Sequence, residues 1–230
     1  MKKILVSFIL RASSLFYGEK KYVVPVTHAY ANFGCGMRCV PGWLNVDGSL
    51  TALLGSRRFS FINKLLYRVA GSSAFYSFSE YNEIIRISGL LFSDLRNGVP
   101  FADNSLDVVY TSHFLEHLNK QDGRHFLKEC YRALKPGGLL RISIPDLEIA
   151  FTSYYKEEKV EEMLDLFFYN SDGADFHSHK YNYNFQSLKK ILEEDGFRNV
   201  VRESYQHGKC PKIDFLDVYP EHSLYVECVK

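Results

Sequence analysis

Short apolar runs and helix-periodic stretches alternate along most of this chain, the pattern of a mostly parallel sheet covered by helices. Residues 28–33 (HAYANF) read as a first strand, 42–47 (GWLNVD) as a second and 89–95 (GLLFSDL) as a third. Residues 106–114 (LDVVYTSHF) and 138–146 (GLLRISIPD) read as a fourth and a fifth. Between these two, Phe126, Leu127, Cys130, Tyr131 and Leu134 recur at i, i+3 and i+4 and predict a helix. Pro136, Gly137 and Gly138 end it and turn the chain into the fifth strand. Beyond Pro145 the periodicity predicts a helix over 146–170, a polar loop rich in His and Tyr over 171–184, and a helix over 185–197 stopped by Gly196. Residues 199–205 and 223–229 read as two closing strands.

Two segments stand outside this alternation. Residues 48–89 separate the second and third strands by far more than an ordinary crossover. Within them Phe59, Ile62, Leu66 and Val69 share one helical face, with Arg57, Arg58, Lys64 and Arg68 elsewhere. A basic amphipathic helix either packs on its own domain or rests on a membrane surface. Packing is the commoner fate and the reading adopted, so membrane contact through 57–69 is not favoured. The insertion is therefore expected to be helical and to form a lid or part of an acceptor site. At the start, basic residues precede an apolar run, Ile4 to Leu10, that Arg11 cuts short. That run is too short for a span and reads as an amphipathic helix over 1–22 on a single domain covering 1–230. A cytoplasmic location is expected.

Composition narrows the function. Hydrophobic residues make up 46% and aromatic residues 15%, as in a folded globular chain. The net charge of +1 gives no long-range field for nucleic acid, so none is expected as a partner. Five scattered cysteines, Cys35, Cys39, Cys130, Cys210 and Cys228, fit reduced thiols better than a disulfide framework. Cys35 and Cys39 have no second pair at zinc-ligand spacing.

The chemistry concentrates in NFGCGMRCVPGWLNVD, Asn32 to Asp47. A glycine turn after a first strand lets a ligand approach the backbone, and an acidic residue ending the second strand can accept both hydrogens of a ribose diol. An adenosine-containing ligand at the carboxyl edge of the sheet follows. A dinucleotide fits poorly: Gly34-Cys35-Gly36 has no third glycine, and Asp47 follows Gly36 after only eleven residues. The dinucleotide fingerprint needs roughly 20. Pro41 and Gly42 also leave little room for a helix that would receive a pyrophosphate.

NFGCG, PGWLNVD, SDLRNGVPFADNSLDVVYTSHFLEHL and FLKECYRALKPGGLLRISIPD resemble the successive motifs of class I S-adenosylmethionine-dependent methyltransferases. Within that class the chain is similar to small bacterial enzymes described only as predicted methyltransferases. The likeness runs from about Asn32 to Asp146, skips the insertion, and resumes weakly at SLKKILEEDGF and SLYVECVK. It implies a Rossmann-like three-layer α/β sandwich with a mostly parallel seven-stranded sheet whose last strand is antiparallel. It implies S-adenosyl-L-methionine as cofactor, bound by Gly34, Cys35, Gly36, Asp47, Asp94, Leu95, Ser112 and His113. Gly34 and Gly36 would contact the methionine part, with Arg38 or loop amides on its carboxylate. Asp47 would hold the ribose, Asp94 and Leu95 the adenine, and Ser112 and His113 would lie near the methyl group.

Methyl transfer from a sulfonium needs alignment and exclusion of water, and a hydroxyl or amine acceptor also benefits from a base. His113, His117 and Asp146 are the candidates, with His113 favoured because it directly follows the fourth strand. Glu116 and His117 also suit local hydrogen bonding, and Asp146 suits a helix cap. In the loop, His177 and His179 at alternate positions suit a metal together with Asp172 or Asp175. Loops at strand ends more often carry such residues for acceptor contact, so no metal is expected. The expected acceptor is a small molecule, with a cell-surface sugar precursor suggested by the resemblance, methylated on oxygen or nitrogen. The competing readings are a non-catalytic scaffold that keeps the fold and the cofactor site, and, more weakly, a nicotinamide-dependent oxidoreductase.

Overall fold

The computed structural model describes residues 22–24, 29–55, 59–69, 72–157, 160–161, 163–164 and 178–230. Seven strands form one sheet: β1 (Tyr30–Phe33), β2 (Leu44–Asp47), β3 (Leu91–Phe92), β4 (Leu106–Ser112), β5 (Leu134–Pro145), β6 (Arg198–Glu203) and β7 (Ser223–Val229). Their order is β3-β2-β1-β4-β5-β7-β6. The first five strands run parallel, and β7 is antiparallel to both β5 and β6. This is the seven-stranded Rossmann-like sheet that the motifs imply. Its central strands are apolar on both faces because both faces are covered.

On one face, Phe33, Val109, Ile142 and Leu224 of the sheet pack with Phe126, Leu127 and Cys130 of α4 (Lys120–Ala133) and with Leu188 and Leu192 of α6 (Phe185–Glu194). On the other, Val108 and Tyr110 meet Val40, Trp43, Cys210 and Leu216. Leu134 belongs to β5 and not to the preceding helix: it pairs with Leu106, and the register then shifts before Val108 meets Leu139. The Pro136-Gly137-Gly138 stretch is the looped-out part, with Gly137 at φ +80°. The third strand is shorter than the apolar run suggests, because Asp94 caps a 3₁₀ turn over Leu95–Asn97.

The insertion folds into three helices, α1 (Leu50–Leu54), α2 (Ser60–Val69) and α3 (Phe78–Ile87). Leu50, Leu66, Tyr81 and Ile85 give it a small core, against which Met37, Tyr67 and Phe78 pack. The inward face of α2 is not the expected one. Phe59 and Val69 are 47% and 39% exposed, and the buried side of α2 holds Asn63 and Leu66. Asn63 is tolerated inside because its amide donates to Asn82 Oδ1 at 2.8 Å, and this rotates the inward face away from Phe59. Arg57 and Arg58 lie outside the described residues, as does the helix expected over 1–22 up to Tyr22. Tyr22 itself donates to Pro100 O and Phe92 O. After β5 comes α5 (Leu147–Glu157), and α7 (Ile213–Leu216) precedes β7. Among the described residues no helix is long and apolar enough to cross a membrane.

Candidate functional site

The sheet order changes direction between β1 and β4, and crevices at such switch points, outside the carboxyl ends of the strands, are where ligands bind in open α/β sheets. A cleft of about 210 Å³ opens there. Of the predicted residues, Gly34, Cys35, Ser112 and His113 line it, and Arg38, Tyr76 and Tyr219 are among its other walls. Gly36, Asp47, Asp94 and Leu95 are not among its lining residues: Gly36 follows Cys35 in the turn, Asp47 ends β2, and Asp94 and Leu95 follow β3.

The glycine turn is required by its backbone. Gly34 has φ +64°, and a Cβ there would come within 2.6 Å of Phe114 side-chain atoms. Gly36, at φ +51°, faces open space. Its amide donates to Asp47 Oδ2 at 2.8 Å, while Ser49 N donates to Asp47 Oδ1 at 2.8 Å. Asp47 thus ties the turn to the end of β2. Each of its oxygens takes one of these backbone bonds and keeps a lone pair able to accept another. These features fit an adenosyl ligand without phosphates.

Arg38 donates through Nε and Nη2 to Phe215 O at 2.9 and 2.6 Å, and its guanidinium sits 5.1 Å over the Phe215 ring. Cys35 and Cys39 place their sulfurs 4.0 Å apart in the turn, and burial pushes the Cys35 thiol up. All five cysteines are free and buried. Asp94 is forked by Arg96, with Nε to Oδ1 at 2.8 Å and Nη2 to Oδ2 at 2.6 Å. Leu95 is buried in the main core.

His113 is held from several sides. Its backbone is in the left-handed region, φ +48°, anchored by a bond from its amide to Ser143 O at 2.9 Å. A bulky side chain there is uncommon and often marks a functional position. The ring's Nε2 lies 2.9 Å from Ser223 Oγ, its Nδ1 3.3 Å from Glu116 Oε1, and its edge meets Tyr219 at 4.8 Å. Glu116 is only 1% exposed. Burial alone would raise its pKa, but the facing imidazoles of His113 and His117 hold it below the ordinary value. His117 shares the 3₁₀ turn Leu115–His117 and places Nδ1 3.2 Å from Ser178 O. Asp146 occupies a capping position: Oδ1 accepts from Glu148 N at 2.9 Å and Oδ2 from Arg202 at 2.5 Å. It does not line the cleft.

Tyr76, from the insertion, and Leu216, Val218 and Tyr219, from the segment between β6 and β7, are walls that sequence reasoning missed. That last segment is pinned by Arg141, fully buried in β5. Its guanidinium donates to Asp217 at 3.0 and 2.5 Å, to Glu227 at 2.9 Å and to His207 O at 2.9 Å. Burial alone would lower the Arg141 pKa, yet the two carboxylates hold it above its ordinary value. An arginine inside the apolar run LLRISI was the available signal, since a buried charge demands acidic partners. His177, Asp172 and Asp175 lie outside the described residues.

A family model described as a methyltransferase domain matches residues 76–142. A demethylmenaquinone methyltransferase of Lactobacillus johnsonii is 34% identical over 112 residues, covering 45% of this chain and 44% of the relative. A probable S-adenosylmethionine-dependent methyltransferase of Mycolicibacterium smegmatis is 40% identical over 57 residues, covering 23% and 21%. The chain therefore spans less than half the length of the curated relatives it matches. Among solved structures, a SAM-dependent methyltransferase of Thermotoga maritima, described as a possible histamine N-methyltransferase, superposes with a TM-score of 0.50. It covers 100% of both chains at 15% identity, a likeness of fold alone. Residues 76–142 thus match a methyltransferase domain, and the chain is similar to S-adenosylmethionine-dependent methyltransferases and shares their Rossmann-like sheet.

Proposed function

We propose that this protein transfers a methyl group from S-adenosylmethionine to a hydroxyl or amine of a small molecule, with a sugar hydroxyl as the favoured acceptor. The observation that carries the reading is the Gly34–Gly36 turn, clipped to Asp47, at a cleft that His113 also lines. When bound, the cofactor supplies a methyl group on a positively charged sulfur that leaves without needing a proton. The rest of the work falls to the protein. Asp47 takes the ribose hydroxyls, the glycine turn and Arg38 take the methionine part, and Asp94 with Leu95 takes the adenine. Oδ2 of Asp94 accepts one bond from Arg96 and keeps capacity for the amino group. Ser112 and His113 flank the reacting methyl.

Of the three candidate bases, His113 lines the cleft, whereas His117 and Asp146 are not among its lining residues. We assign the acceptor's proton to His113, with Glu116 orienting its Nδ1 side. Tyr76 brings the insertion to the cleft wall, and we assign the insertion to the acceptor side, as a lid or a fixed part of that site.

The test is a tritiated-methyl assay against panels of sugar hydroxyls and small amines. Label in a small-molecule product supports the reading; cofactor binding with no transfer to any acceptor would leave a scaffold. In the same series, Asp47→Ala is expected to weaken S-adenosylhomocysteine binding by about 1–3 kcal/mol, because the turn amide and the ribose lose their acceptor together. Unchanged affinity in a folded variant would remove Asp47 from the site.

A further inference from the structure

A second group of side chains lies directly behind His113. Glu116, His117 and His179 each bring one ligand atom to within 4.8 Å of the others. Among the described residues neither carboxylate oxygen of Glu116 has a partner in hydrogen-bond geometry, although Oε1 stands in ion-pair range of His113 Nδ1 at 3.3 Å. A buried carboxylate so poorly satisfied calls for a cation, since buried charges in proteins are paired or coordinate metals.

The imidazoles are arranged for that role. His117 Nδ1 faces Ser178 O, which can only accept, so in the neutral ring Nδ1 carries the hydrogen and Nε2 the basic lone pair. A backbone carbonyl behind a histidine is the usual outer support of a metal ligand. The rings of His117 and His179 lie 5.1 Å apart at 62°. Lys180 N and Tyr181 N both donate to Glu116 O, at 2.8 and 3.3 Å, and so tie the His179 segment to the turn bearing the other two.

We propose that Glu116, His117 and His179 bind one divalent first-row transition cation, of the zinc or ferrous type. Two imidazoles and a carboxylate form the donor set of open, non-structural sites for these ions, with positions left for water or a ligand oxygen. Because His113 both touches Glu116 and lines the cleft, such a cation would adjoin the acceptor side. The site differs from the His177 and aspartate set that the sequence suggests and shares only His179 with it. It stands on its own geometry and does not depend on the methyl-transfer reading.

The test uses the full chain without a histidine tag, stripped with a chelator and titrated calorimetrically with zinc chloride. Cobalt(II) serves as a second probe, read by its visible absorption. One zinc ion per chain is expected, with affinity falling at least roughly tenfold in His117→Ala and in His179→Ala, and with a changed cobalt spectrum in each. His179, only partly buried, also allows the milder His179→Gln should either alanine variant misfold by circular dichroism. No stoichiometric zinc binding, or equal binding by wild type and the folded His179 variants, would overturn the assignment. S-adenosylhomocysteine titrated into the same samples reports separately on the cofactor site.

Discussion

Replacing His113 is expected to lower methyl-transfer turnover by roughly 10²–10⁴-fold while leaving affinity for S-adenosylhomocysteine nearly intact, the size of a lost general base. The ring stands where the cleft meets the carboxyl edge, with Glu116 on one nitrogen, Ser223 on the other and Tyr219 against its edge. Such constraint fixes its aim and removes the need to order it when the acceptor arrives. Alanine alone would confuse lost chemistry with backbone strain, because φ is +48° at this position. His113→Asn separates the two, since asparagine tolerates the left-handed region far better and has no comparable base. Both variants should lose turnover alike. If His113 only packs over the cofactor, binding should weaken in both, with a modest loss of rate. A folded His113→Asn protein that keeps wild-type turnover and affinity would leave the residue with no part in the reaction.

Arg141→Met is expected to destabilise the protein by about 3–5 kcal/mol, as removal of one partner from a buried ionic network does. Methionine nearly fills the volume, so the loss comes from stranding Asp217 and Glu227 away from water. Both carboxylates also collect backbone amides, Asp217 from Gln206 and Glu227 from Lys209 and Cys210. The network therefore holds the loop after β6 onto the sheet, and with it Leu216, Val218 and Tyr219 of the cleft. Urea unfolding should show the lost stability, and S-adenosylhomocysteine binding should weaken with it. A change under about 1 kcal/mol would mean that hydrophobic packing carries the loop and the charges merely tolerate burial.

The sheet was legible where local signals suffice. β4 and β7 are apolar runs bounded by turns, and each falls within a residue or two of its expected place. The count of seven strands and the antiparallel last strand came from the resemblance of the motifs, and the strand order is read from the structure, since periodicity does not say which strands pair. The two-residue β3 was over-read because Leu91 and Phe92 sit in a longer apolar string whose end is taken by the Asp94 cap. The apolar face of α2 was misassigned because a buried Asn63 satisfied by Asn82, nineteen residues away, is invisible to a hydrophobic count.

The site divides along the same line. The Gly34–Gly36 turn and Asp47 were legible, for a left-handed turn and a strand-end acid leave short-range marks. Tyr219 and Leu216 were not. Their placement depends on Arg141 reaching Asp217 across 76 residues. The grouping of Glu116 and His117 with His179 depends likewise on backbone bonds between distant segments.

The central claim is most directly tested by calorimetric titration of the intact chain with S-adenosylhomocysteine and, separately, with NAD. The short path from Gly36 to Asp47 and the cleft at the β1–β4 switch predict one S-adenosylhomocysteine bound per chain, with NAD neither binding comparably nor displacing it. Saturable NAD binding with no heat from S-adenosylhomocysteine would contradict the account.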